Sequence, residues 1–422
     1  MNQILLKKVL TAGERKDILI EGNIIKTISA EIDAPSADII DCSRMAAIPG
    51  FINMHTHAAM TMTRSVKEDT PLMPWLQFIW KIEAGFDEET IYWGCKLACL
   101  EMIKSGTTCF NDMYWIINTA AKAVDEMGIR AFHSYIMLDN GDTDKAVRQR
   151  KELEIALKDA SSFSSRNHFA VALHAPYTVC KENMIFGADF AKANDLLLHI
   201  HLSETETELN NAQSQWGCTP VEYCDKLGIL SNRVIAAHSL WLSPNDIQIY
   251  GKYGMTAVHN INSNLKISSG YKFPLEELQS VGANVTIGTD GCGSSNNLDM
   301  LEAMKTSAIV QKAWRKDPST MNLENLMSIG SANAAKALRI NAGIIAEGKL
   351  ADIVLIDLNN VYFTPNYDFE ANLIYSANSS CVDTVICDGK ILMRGRKVEG
   401  EQEILDNANI CASKLMQRFK KS

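Results

Sequence analysis

Two pairs of histidines, each spaced by one residue, stand out as groups that could do chemistry: His55-Thr-His57 and His199-Ile-His201. On a β-strand, residues two apart face the same side, so each pair can aim two imidazoles at one point. His174, Glu204, His238, His259 and Asp290 fall at or near the ends of further strand-like runs. Seven of the nine histidines share that placement, which random scatter does not produce. Imidazole with carboxylate is the donor mix of zinc, with iron and manganese as competitors. Three histidines and one aspartate would leave a coordination position for water, whose pKa an ion lowers until hydroxide exists near neutral pH. A two-metal site usually needs a further bridging ligand, often a modified lysine. The fourth strand-like run offers His174 and no lysine, so one divalent ion is expected.

These residues can meet only if the runs that carry them lie side by side. Eight such runs can be counted: 47–57, 107–113, 130–136, 169–176, 196–204, 234–240, 256–263 and 284–291. Helical patterns fill the gaps, for example 87–104 and 298–314. Strands alternating with helices over roughly 250 residues predict a (β/α)8 barrel, whose active sites lie at the C-terminal strand ends. The longest gap, from Ala58 to about Gly106, holds Trp75, Trp80, Glu83 and Trp93. At least its first half is expected to be a loop over the barrel mouth.

Outside the barrel, the two ends of the chain share a pattern. Asp17-Ile-Leu-Ile-Glu-Gly-Asn-Ile-Ile and Thr384-Val-Ile-Cys-Asp-Gly-Lys-Ile-Leu each place apolar runs around a glycine turn, as β-hairpins do. With a third strand over 351–357, they predict a small β-sandwich domain built from both termini, residues 1–48 and 347–422, closed by a helix over 402–419. The barrel domain then runs from 49 to 346.

The bulk composition fits this picture. Apolar residues make up 46% of the chain and charged residues 22%, as in an ordinary globular protein. A net charge of -9 and the lack of a basic block argue against nucleic acid as a partner. Eleven cysteines without a CxxC pair read as reduced core thiols, not disulfides. The start, Met1-Asn-Gln-Ile-Leu-Leu-Lys-Lys, is not built like a signal peptide, and no run suits a membrane span. A cytoplasmic location is expected.

Longer motifs carry a resemblance. Pro49-Gly-Phe-Ile-Asn-Met-His-Thr-His57, His201-Leu-Ser-Glu-Thr205, Ala237-His238, His259-Asn-x-x-Ser-Asn-Leu-Lys266 and Gly288-Thr-Asp-Gly291 resemble the amidohydrolase superfamily. Within it they are similar to S-adenosylhomocysteine/5'-methylthioadenosine deaminases and related chlorohydrolases. Leu72-Met-Pro-Trp-Leu76, Ser105-Gly-Thr-Thr108, Ser295-Asn-Asn-Leu-Asp-Met300 and Gly348-Lys-Leu-Ala-Asp-Ile353 extend the likeness over nearly the whole chain.

The resemblance implies that His55, His57, His201 and Asp290 bind the metal. Glu204 takes the place of the proton shuttle, and His238 that of the residue orienting the attacking hydroxide. Asp290 also accepts a proton. His174 matches a contact on the purine N3 side, and Glu83 a carboxylate that accepts both ribose hydroxyls. Trp75 would pack on the substrate, and Ser294 sits where the family contacts the purine. His199 is left to core packing and His259 to structural support near the pocket. Ser203-x-x-Glu206 reads as a capping box that fixes a helix while Glu204 points inward.

One position departs from the pattern. Tyr135 stands where members binding the homocysteine tail carry an arginine, and a phenol is a poor partner for a carboxylate. Arg148 or Arg150 would be the remaining tail contacts. The implied reaction is hydrolysis of the 6-amino group of an adenine nucleoside, with adenosine, 5'-deoxyadenosine or methylthioadenosine favoured over S-adenosylhomocysteine. The alternatives are a hydrolase of another ring (triazine, pterin, free base, including halide displacement) and, more distantly, a non-catalytic metal-binding scaffold. A homodimer is implied by the family alone.

Overall fold

The structure, a computed structural model, describes residues 3–420, so the outermost limits of the expected terminal domain, residues 1 and 422, lie outside the described residues. Eight parallel strands form the barrel: β1 (Phe51–Thr56), β2 (Thr107–Tyr114), β3 (Arg130–Met137), β4 (Asn167–Leu173), β5 (Leu198–Leu202), β6 (Val234–His238), β7 (Thr256–His259) and β8 (Asn284–Ile287). Each pairs with its sequence neighbour. The seam between β8 and β1 is closed by the Asp290 N–H donating to the His55 carbonyl at 2.9 Å, and by Thr289 N–H donating to the Asn53 side chain at 3.0 Å. Gly288 makes this approach possible. A Cβ there would lie 2.8 Å from the His55 nitrogen and 2.6 Å from Asn260 Oδ1.

The first expected run, 47–57, is two strands. Met45–Pro49 pairs antiparallel with Ile353–Asp357 outside the barrel, and β1 begins only after Gly50. A Cβ on Gly50 would fall 2.1 Å from Thr108 Oγ1, so the chain crosses between sheets where only glycine fits. Strands β4 to β8 also stop short of their expected ends. His174, Glu204 and Asp290 therefore sit just beyond the strands, on backbone free to leave the ladder.

The strands from both termini join one continuous mixed sheet of eight. Its own core includes Leu6, Val9, Ile18, Ile20, Ile353 and Leu355. The two hairpins meet tip to tip: a Cβ on Gly389 would lie 1.9 Å from the Gly22 carbonyl oxygen. The final helix, Glu401–Phe419, lies against the flank of the barrel, where Cys411 and Leu415 pack with Met62 and Ile82.

The stretch expected to be a loop over the mouth is largely helical. A 3-10 turn over Ala58–Thr63 is followed by helix α1 (Leu72–Glu83) and helix α2 (Glu88–Lys104), the latter capped by Asp87. Trp75, Ile79 and Ile82 repeat at helical spacing and form the buried face of α1. Pro71 and Pro74 break nothing, because they fall at the N-cap and in the first turn, where backbone N–H groups have no intrahelical partner. All eleven cysteines are free thiols. Among the described residues no helix is long and apolar enough to cross a membrane.

Candidate active site

His55 and His57 leave the end of β1, His201 lies on β5, and Asp290 lies three residues past β8. The His57 Nδ1–H donates to the Met113 carbonyl at 2.8 Å and the His201 Nδ1–H to the His174 carbonyl at 2.7 Å. That fixes the tautomer of both rings with the Nε2 lone pair pointing inward. His57 Nε2 and His201 Nε2 then stand 3.3 Å apart, and Asp290 Oδ1 lies 3.3 Å from His55 Nε2 and 3.4 Å from His57 Nε2. Donor atoms placed tetrahedrally around an ion at ~2.0–2.1 Å are separated by about 3.3–3.4 Å. These three spacings suit a single divalent ion, with His55, His57 and Asp290 forming one convergent set and His55, His201 and His238 an overlapping one. His55 Nε2 is fully buried and makes no hydrogen bond within the protein.

Protonation states agree with that use. Burial lowers the pKa of His55 and of His201, keeping both imidazoles neutral and able to bind metal. Burial works the other way on Asp290, but the His55 imidazole 3.3 Å away outweighs it and holds the carboxyl well below its ordinary value. Asp290 Oδ2 accepts from Ser263 Oγ at 2.6 Å and from Ser294 Oγ at 2.8 Å, while Oδ1 faces the imidazoles and accepts the Gly291 N–H at 2.8 Å.

Glu204 and His238 stand beside this cluster, with His238 Nε2 3.7 Å from Glu204 Oε2. Burial, then the nearby Asp290 and Glu208 carboxylates, raises the pKa of Glu204 well above its ordinary value. It is thus a carboxyl suited to holding and releasing a proton. His238 is held at Nδ1 by Asn264 Nδ2 at 2.9 Å. The expected capping box at Ser203 and Glu206 does not form. Thr205 caps helix α3 (Glu206–Trp216) by accepting the Glu208 N–H, and Glu208, not Glu206, reaches back to the preceding backbone. A cap requires extended backbone; Thr205 has it, and Ser203 is left-handed at φ +55°.

One cavity is lined by His57, His201, Glu204, His238 and Asp290 together with Trp75, Glu83, His174 and Ser294. Helix α1 supplies Trp75 and Glu83. The half-buried Glu83 accepts from the Tyr114 hydroxyl, and burial raises its pKa. His174 is held at Nδ1 by Thr178 Oγ1 at 2.7 Å, leaving Nε2 for a ligand. His259 is fully buried, bonded to Ser307 and stacked on Phe273 at 4.3 Å.

Tyr135 is not part of this wall. Its hydroxyl donates to Glu152 at 2.8 Å on the outer side of β3, and the next residue, Ile136, faces the cavity. Alternate residues of a strand face opposite ways, so a one-residue offset reverses the side. Arg148 is exposed and Arg150 is spent on Asn183, so neither lines the cavity.

Several residues were missed by sequence reasoning. His199 does more than pack: its Nε2 lies 3.0 Å from His55 Nδ1, and Asn111 holds its other nitrogen at 3.1 Å. Asp112 accepts the Ala58 N–H at 2.8 Å and so braces the turn after His57. Tyr114, Asn264 and Glu208 each hold a site residue in place. The spacing Thr205-x-x-Glu208 was the one visible signal for the last of them; the others depend on contacts between distant segments.

A parallel barrel whose strand ends converge imidazoles and a carboxylate on one point defines the metal-dependent hydrolase class of barrel proteins. The chain belongs to the amidohydrolase family, whose model matches residues 46–392. A 5'-deoxyadenosine deaminase of Methanocaldococcus jannaschii is 44% identical over 400 residues, 94% of this chain and 95% of that protein. A 5-methylthioadenosine/S-adenosylhomocysteine deaminase of Archaeoglobus fulgidus is 41% identical over 417 residues, 98% of this chain and 97% of that protein. The crystal structure of an adenosine deaminase from Xanthomonas campestris with bound zinc superposes with a TM-score of 0.91 at 30% identity, covering 98% of each chain.

Proposed function

We propose that the protein hydrolyses the 6-amino group of an adenine nucleoside, giving the inosine analogue and ammonia. The observation that carries this reading is the presence, in one cavity, of the His/Asp cluster, the protonatable Glu204 and the acceptor carboxylate of Glu83. The named activities of the relatives support it. His55, His57, His201 and Asp290 would hold the ion; the donor set and the zinc of the Xanthomonas campestris structure favour zinc over iron or manganese. When bound, the ion supplies a water acidified enough to act as nucleophile near neutral pH.

The chain's own residues do the rest. Glu204 would take a proton from the attacking water and pass it to ring N1, so that C6 accepts oxygen without negative charge building on the purine. His238 orients the attacking oxygen. Asp290 takes the remaining hydroxyl proton, which passes to the amino group as it leaves as ammonia. Glu83 accepts the ribose hydroxyls, His174 contacts the base edge, Trp75 packs on the substrate, and Ser294 keeps Asp290 aligned while bordering the purine. These contacts hold C6 at the reacting oxygen.

Among the described residues no lysine or arginine lines the cavity, and Met113, Trp115 and Ile136 give it an apolar stretch of wall. A tail carboxylate would lose its water there without gaining a cation. Adenosine, 5'-deoxyadenosine and methylthioadenosine are therefore the favoured substrates over S-adenosylhomocysteine. A cytoplasmic role in nucleoside salvage as a homodimer belongs to the same proposal; the unpaired thiols support a reducing compartment.

The test is an absorbance assay of zinc-loaded protein with these four nucleosides and free adenine. Turnover of the nucleosides without an amino-acid tail, with adenine inert, is expected. Silence on all five would move the search to other amino- or halo-substituted rings.

A further inference from the structure

We propose that Glu208 is a positioning residue for catalysis, setting the Glu204 carboxyl through the backbone that carries it. The proposal rests on the reading of Glu204 as proton carrier. Glu208 is 7% exposed, and its carboxylate is spent on two consecutive peptide groups. Oε1 accepts the Ser203 N–H at 3.0 Å and Oε2 accepts the Glu204 N–H at 2.7 Å. An ordinary capping box returns to the N-cap N–H, here that of Thr205. Glu208 reaches beyond it to the N–H groups of Ser203 and Glu204. The helix start is already served by Thr205 Oγ1, which accepts the Glu208 N–H at 3.0 Å, so capping alone does not explain a buried carboxylate.

The turn it grips is one that would not hold itself. Ser203 has a left-handed backbone, φ +55°, which L residues avoid. Its carbonyl accepts from Leu240 N at 3.0 Å and Trp241 N at 2.9 Å, just past His238. The peptide before Glu204 is thus pinned from one side by the His238 loop and from the other by Glu208. This is how Glu204, two residues past β5, and His238, the last residue of β6, keep their 3.7 Å spacing. Releasing one side lets the turn relax toward right-handed backbone and swings the Glu204 carboxyl off the ring.

The experiment measures kcat and KM for 5'-deoxyadenosine, metal content and thermal midpoint in Glu208→Gln, Glu204→Gln and the double variant. A glutamine can accept only one of the two N–H bonds and meets the other with its own NH2. Glu208→Gln should lower kcat on the order of 100-fold, the effect of an ångström-scale misplacement, with KM and zinc content unchanged. The double variant should be no slower than Glu204→Gln, because Glu208 acts only through Glu204. A merely structural role would instead reduce metal content and multiply the two losses. Wild-type kcat in Glu208→Gln, or multiplying losses, overturns the proposal. If Glu208→Gln does not fold, Thr205→Ala loosens the same turn; a smaller kcat loss, absent in a Glu204→Gln background, is expected, and unchanged kcat overturns it. A fully active Glu204→Gln would sink the proton-carrier reading and this inference together. An inactive Glu204→Gln beside an unimpaired Glu208→Gln sinks this inference alone.

Discussion

Two buried polar clusters sit at opposite ends of the same barrel, and they are built on opposite principles. At the N-terminal strand ends, Arg130 lies 3.5 Å from Asp352 and 3.3 Å from Asp388, and Arg166 lies 3.9 Å from Asp388. Asp352 also accepts the Asp388 N–H at 2.7 Å. Cations face anions there, and the cluster ties the terminal sheet to the barrel. At the C-terminal ends the donor atoms of His55, His57 and Asp290, and of His55, His201 and His238, lie close together with no cationic side chain lining the cavity. The first cluster sets arginines against aspartates; the second gathers donor atoms that the proposed ion would join. Around the second cluster Ser203, His238, Ser239 and Asp290 hold positive φ without being glycine, each at a cost of ~1–3 kcal/mol.

The contrast can be broken experimentally. Chelation should abolish turnover, and zinc should restore it. The thermal midpoint should fall as well, since an ion present at 100 times its Kd stabilises by about 2.7 kcal/mol. His55→Ala should contain no metal by elemental analysis and show no response to chelator. Full activity in either case would mean the converging donors are not a metal site.

Glu204→Gln comes next in size: kcat down about 10²–10⁴-fold with zinc retained. Loss of zinc in that variant would place Glu204 among the ligands.

Arg130→Met tests the other end. Leaving the buried Asp352 without its cation should cost about 3–5 kcal/mol in urea unfolding. The kcat and zinc content of the remaining folded protein should not change. A loss of zinc would show that the two clusters are not independent.

The smallest effect is expected at the surface. Asp87 caps α2 through Thr90 and pairs with Arg418 of the C-terminal helix. Burial pushes its pKa upward, but Arg418 and Thr90 prevail and lower it to about 2. Asp87→Ala should cost about 1 kcal/mol near pH 7, the value of an N-cap. Because the folded pKa is depressed, that contribution is present above the unfolded pKa of about 4 and is lost as pH falls toward 2. The gap in thermal midpoint between wild type and variant should therefore narrow over that interval. A gap independent of pH would remove the charge from the account.

Much of the site was legible because its logic is local. His55-x-His57 needs only the two-residue repeat of a strand, and the eight runs show the alternation of a barrel. The hairpins around Gly22 and Gly389 follow from turn chemistry. What was not legible depends on partners far along the chain. Both faces of β3 are buried, so neither polarity nor periodicity distinguished outward Tyr135 from inward Ile136. The long gap after the first run suggested a loop, although Leu72–Glu83 within it form α1.

The sequence by itself therefore determined the donor types, their pairing on strands, the repeating architecture and the turns, since these follow from dihedral preference and short-range spacing. Only the tertiary structure decided which donors share a point, and that His199 backs His55 across 144 residues. It also decided that α1 brings Glu83 to the cavity and that Glu208 grips the turn before Glu204. Those arrangements arise when the barrel closes and brings distant segments within hydrogen-bond range, and no local rule contains that distance.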